Sequence, residues 1–230
     1  MSGIAHFDLT GKRAIVLGAD TAAGAAVVVA FREAGADLAQ LPAHCADDAA
    51  AEVERAAAAL GGVDVLVCAL DAFIARPFVD VSTSELSSAM SGNFTHTFAA
   101  AQSAVRRMLQ QQRGGNLVFV THALGSRGLP NASAYCAAHG ALANLIRALA
   151  QELAPAGISV NGIALGWMDW MTDRLDPADA EAQRAIRFTL SKRAGRPDDV
   201  GPMAVWLAGS GVGYVSGQIF PLDGGLTQHL

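Results

Sequence analysis

The chain has 230 residues, 52% of them apolar, and a net charge of −5. That is enough chain for one large hydrophobic core, read as one unit over 1–230. With no block of Lys or Arg, the acidic balance excludes a nucleic-acid or anionic-membrane surface, both of which need clustered positive charge. The expected partners are a small-molecule substrate and other subunits.

The first residues, MSGIAHFDLTGKR, carry no basic stretch followed by an apolar one, so nothing there directs export. The longest apolar stretch, Ile15 to Phe31, is broken by Gly18, Asp20 and Gly24, and reads as strand, turn and helix rather than a membrane span. RAIVLG is the strand, and Ala22 to Ala34 is the helix, ending at Gly35. Short unbroken apolar runs then recur as ADLAQL, VDVLVCAL, NLVFVTHAL, ISVNGIAL and QIFPL, the pattern of strands buried on both faces. Between them lie predicted helices over Ala49 to Leu60, Ser84 to Gln112, Ala132 to Leu153 and Asp198 to Ala208. Alternating strands and helices predict an α/β fold, a doubly wound, mostly parallel sheet that binds ligands at the carboxyl ends of its strands. Cys45, Cys68 and Cys136 are odd in number and widely spaced, which suits free thiols in a reducing cytoplasm.

Several stretches together resemble the short-chain dehydrogenase/reductase family, over nearly the whole chain. Tyr214-Val215-Ser216-Gly217-Gln218-Ile219-Phe220-Pro221-Leu222-Asp223-Gly224-Gly225 is similar to its C-terminal strand and turn, Arg193 to Val200 to the loop and helix start before it, and Ile158 to Ile163 to its sixth strand. The resemblance implies a Rossmann-like sheet. It also implies a glycine-rich dinucleotide turn, which falls on Leu17-Gly18-Ala19-Asp20-Thr21-Ala22-Ala23-Gly24 and keeps Gly18 and Gly24, with Ala22 in place of the third glycine. The same two glycines would equally serve an ordinary strand-to-helix turn. Between Leu41 and Ala49 there is too little chain for a helix-strand unit that the family has there, so six strands are expected and one wall of the adenine pocket is missing. The family's Asn-Asn-Ala-Gly reads Cys68-Ala69-Leu70-Asp71.

In the family's catalytic set, Asn93 and Tyr135 match, while its lysine is His139 and its serine is His122. Tyr135 and His139 are four residues apart and share one helix face. Histidine lacks a permanent charge, and a phenol with an unperturbed pKa near 10 is ionised in only about one molecule in a thousand at neutral pH. Tyr135 is therefore expected to donate a proton, with His122 steadying a substrate oxygen or acting as a base. Asp71, Trp167, Met168 and Trp170 are expected to line the substrate pocket. His96, His122 and His139 lack the spacing of a zinc motif, so no metal is expected. These substitutions lead to the expectation of a cofactor-independent acid/base enzyme of isomerase, dehydratase, lyase or cyclase type. The alternatives are an NAD(P)-dependent oxidoreductase with an atypical site, and a non-catalytic subunit paired with an intact relative. Family habit implies a homodimer or homotetramer.

Overall fold

The computed structural model describes residues 7–174, 186–209 and 213–228, with main chain alone for 172–174. The opening residues 1–6 lie outside it. Six strands form one parallel sheet: β1 (Arg13–Leu17), β2 (Asp37–Leu41), β3 (Val65–Cys68), β4 (Gly115–His122), β5 (Ile158–Leu165) and β6 (Ile219–Leu222), in the spatial order β2-β1-β3-β4-β5-β6. The α-helices with described bounds are α1 (Ala22–Glu33), α2 (Ala49–Ala59), α3 (Thr83–Met90), α4 (His96–Gln111), α5 (Ser133–Leu153) and α6 (Pro197–Ala208). The predicted doubly wound α/β fold is present.

Strand alternation makes two cores. Ile15, Leu17, Leu66, Cys68, Leu117 and Phe119 face the layer of α2, α4 and α5, while Ala14, Val16, Val65, Val67, Val118 and Val120 face α1 and α6. The inner strands β1, β3, β4 and β5 are therefore buried on both sides, which is why they read as short apolar runs, while the edge strand β2 exposes Asp37 and Gln40. Burial also pushes the Cys68 thiol up, leaving it a protonated core group.

The chain runs outward from β1 to the edge strand β2 and returns to β3 on the other side of β1. That reversal opens a crevice at the carboxyl ends of β1 and β3. Only a six-residue 3₁₀ segment, Ala43–Asp48, and α2 lie between β2 and β3, in keeping with the missing unit expected from the sequence. No helix among the described residues is long and apolar enough to cross a membrane.

At the opposite edge, Asp64 accepts from Arg13 N at 3.0 Å, from Nε at 2.8 Å and from Nη2 at 2.7 Å. Burial raises the Asp64 carboxyl, but the hydrogen bonds and charge of Arg13 together outweigh it and hold the group below the usual carboxylate range. A depressed folded-state pKa contributes stability above the unfolded value of about 4, lost as pH falls through the folded one. Asp64→Asn is thus expected to cost about 1–3 kcal/mol at pH 7. By about pH 3 the gap to wild type should narrow in urea unfolding; a gap that stayed constant would count against the ion pair as its source.

Candidate functional site

The turn after β1 begins at Gly18, whose φ of +80° is left-handed. The N–H groups of Gly18 and Ala19 both donate to Leu41 O, tying the turn to the end of β2. Thr21 caps α1: its Oγ1 accepts from Gly24 N at 3.0 Å and lies 2.9 Å from both Gly18 O and Ala69 O. Asp20 is exposed, and its Oδ1 accepts from Ala43 N at 2.6 Å, so its carboxylate is engaged with the chain after β2. The amino end of α1, whose first N–H groups have no partner within the helix, is therefore held at the crevice by Thr21 and two glycines.

Beside it, β3 is followed by buried Ala69 and Leu70 and then by half-buried Asp71. The Tyr135 hydroxyl, in the first turn of α5, donates to Asp71 Oδ1 at 2.8 Å. Tyr135 is 1% exposed and lies among three rings: Phe73 edge-on with centroids 5.1 Å apart, His139 at 4.3 Å and His122 at 5.7 Å. The structure thus brings together Asp71, His122, Tyr135 and His139.

Each imidazole is oriented by a specific partner. His122 Nδ1 accepts from Leu124 N at 3.1 Å, so the neutral ring carries its proton on Nε2. His139 Nδ1 lies 3.0 Å from Thr121 Oγ1. Thr121 and His122 are successive strand residues and face opposite sides of the sheet, which places Thr121 against α5. Thr121 is a site residue that the sequence reading passed over, although this alternation could have found it.

Asn93 lies in a π-helical turn, Ser91–Thr95, that interrupts the helix predicted as continuous from Ser84 to Gln112. Its side chain is buried and grips the loop after β3: Nδ2 donates to Ala72 O at 2.9 Å and to Ala89 O at 2.8 Å, and Oδ1 accepts from Ala72 N at 2.9 Å. A Cβ on Gly92 would stand 2.6 Å from Ala72 Cβ, so the close approach needs glycine there. Asn93 therefore acts on Asp71 through the main chain of its neighbour.

Of the aromatic and thioether residues after β5, Met168 is 1% exposed and belongs to the core facing α1 and α6, bridged to Gly195. Trp167 and Trp170 are half-buried against that core. The Trp167 Nε1 is buried and has no hydrogen-bond partner among the described residues, at the sheet edge where ligands bind. A cavity of about 400 Å³ adjoins His122 between α5 and β6, lined by Thr121, Ser126, Ala143, Arg147 and Thr227. Among the described residues no three His, Cys, Asp or Glu side chains converge as metal ligands.

The family model described as enoyl-(acyl carrier protein) reductase matches residues 5–227. The chain is 31% identical over 212 residues to the 3-oxoacyl-[acyl-carrier-protein] reductase MabA of Mycobacterium tuberculosis, covering 88% of this chain and 83% of that one. It is 30% identical over 244 residues to a 2-dehydro-3-deoxy-D-gluconate 5-dehydrogenase of Dickeya dadantii, covering 95% and 96%. Among solved structures, one from Beutenbergia cavernae, given as an NAD(P)-dependent gluconate 5-dehydrogenase with NADP bound at low occupancy, superposes with a TM-score of 0.89 at 29% identity, covering 96% and 99%. These findings overturn two expectations from the sequence, cofactor-independent chemistry and the absence of a nucleotide. The relatives are named as reductases and dehydrogenases, and one carries NADP. The physical reason lies in the turn, where Thr21, Gly18 and Gly24 keep the amino end of α1 in place despite Ala22.

Proposed function

The chain belongs to the short-chain dehydrogenase/reductase superfamily, and from that premise we propose that it is an NAD(P)-dependent oxidoreductase that interconverts a small secondary alcohol and a ketone. The observation that carries this reading is the turn between β1 and α1. Its main chain and the helix end fit a pyrophosphate, for which helix N–H groups and the positive end of the helix dipole are the usual receptors. Gly18, Thr21 and the first residues of α1 would hold the phosphates, and Tyr135 and His139 would face the nicotinamide half.

When bound, the nicotinamide would take up or return the hydrogen and electron pair of the substrate carbon. Tyr135 would exchange a proton with the substrate oxygen through Oη, whose own hydrogen lies on the bond to Asp71. His122, with Leu124 N on its Nδ1, presents Nε2–H as the second donor where the family has a serine. His139, packed on the phenol ring and tied to Thr121, orients Tyr135 without supplying a permanent charge.

The test is thermal. A ligand at about 100 times its Kd stabilises the folded state by about 2.7 kcal/mol, or a Tm rise of about 5–10 °C for a chain of this size. NADH or NADPH at millimolar concentration is expected to produce a shift of that order with one of the two. No shift with either sinks the proposal. A 3-oxoacyl thioester and a keto sugar acid are the first substrates to try, following the names of the two curated relatives.

A further inference from the structure

In the loop after β3, Asp71 Oδ1 accepts a 2.8 Å hydrogen bond from the Tyr135 hydroxyl. Asn93 clamps both main-chain groups of Ala72, the residue after Asp71. Phe73, one residue further, packs edge-on against the Tyr135 ring. Residues on both sides of the clamp thus converge on the same phenol. Such an arrangement has a chemical use, because an unassisted phenol is a poor base at neutral pH. A permanently charged neighbour would remedy that, but the neighbour here is His139, engaged through Nδ1 with Thr121.

We propose that Asp71 is the terminal proton acceptor in alcohol oxidation and that Tyr135 relays the proton to it, an inference that rests on the oxidoreductase reading above. Where a bound nicotinamide would accept the hydrogen and electron pair of the substrate C–H bond, the hydroxyl proton of the substrate moves to Tyr135 Oη. The phenolic proton moves along the existing hydrogen bond to Asp71 Oδ1, and the alcohol becomes a ketone. The carboxyl then gives that proton to water. Reduction retraces these steps and requires Asp71 protonated. The titratable side chains gathered at the phenol come from three elements: Asp71 from the loop after β3, His122 from β4 and His139 from α5.

The two tyrosines of the chain are Tyr135 and the fully exposed Tyr214. In a Tyr214→Phe background, tyrosinate absorbance in the near ultraviolet reports Tyr135 alone. Adding Asp71→Asn is expected to lower the pH of half-ionisation by about 1–3 units, because the carboxylate opposes a phenolate beside it; Asp71→Glu is expected to stay near the parent. Equal midpoints for the parent and Asp71→Asn overturn the proposal.

A second readout uses turnover, with cyclohexanol and NADP+ as the probe pair. Wild-type kcat/KM is expected to be level between about pH 7 and 9, whereas Asp71→Asn should climb about tenfold per unit, since only ionised phenol then accepts the proton. Parallel slopes overturn the relay, since a merely structural role for Asp71 would lower the rate evenly. The titration needs no nucleotide, so a shifted phenol without nucleotide binding would count against the oxidoreductase reading. Nucleotide binding with an unshifted phenol would count against the relay.

Discussion

Replacing Gly24 by alanine is expected to lower stability by about 3 kcal/mol or more and to abolish the nucleotide-induced rise in Tm. A Cβ at this position would stand 1.9 Å from Gly18 O and 3.0 Å from Thr21 Oγ1. The first of these is main chain, held on the other side by the Thr21 N–H bonded to Gly18 O and by Gly18 N bonded to Leu41 O. The methyl therefore has no flexible neighbour to push aside, and α1 must move away from the turn. Movement would break the Thr21 cap, whose loss is itself worth about 1 kcal/mol, and would withdraw the helix end from the crevice. Urea unfolding measures the first effect and thermal shift with nucleotide the second. A variant within about 0.5 kcal/mol of wild type, the usual range for a harmless surface change, would show that the helix and turn do not meet this closely.

The fold was legible because its signals are local. Each of the six strands is a short apolar run, and the shortage of chain between Leu41 and Ala49 already implied the missing unit. The π turn at Ser91–Thr95 was not legible, since inserting one extra residue in a helix turn changes the main chain without changing which side chains are apolar. Met168 reads as pocket lining because thioethers often line pockets. It is drawn into the core because Gly195 has no side chain: a Cβ there would lie 2.5 Å from Met168 Sδ. The glycine-rich turn misled for a related reason. Ala22 and Asp20 change the side chains of the motif, but phosphates are bound by main-chain N–H groups, and Thr21 and Ala43 absorb the difference. Asp71 and Tyr135 were each singled out, yet nothing in a sequence announces that residues 64 apart are joined by a hydrogen bond.

Tyr135→Phe separates a working enzyme from a subunit that only lends its fold. If Tyr135 carries the substrate proton, kcat/KM should fall about a thousandfold, within the range of roughly 10²–10⁴ for a positioned acid or base, equivalent to about 4 kcal/mol of transition-state stabilisation. The fold should survive, because Tyr135 keeps its packing against Phe73 and His139 and loses only the oxygen. Removing the donor to Asp71 costs about 1–3 kcal/mol of stability, visible as a lower Tm in the free protein. The nucleotide-induced shift should remain, since the turn that would hold the phosphates lies at Gly18 to Gly24 and not at α5. That combination, lost turnover with intact fold and nucleotide binding, is what a catalytic phenol produces. A non-catalytic subunit would instead leave turnover of its assembly unchanged in Tyr135→Phe, and a thousandfold effect is far too large for loss of one hydroxyl from a merely structural contact.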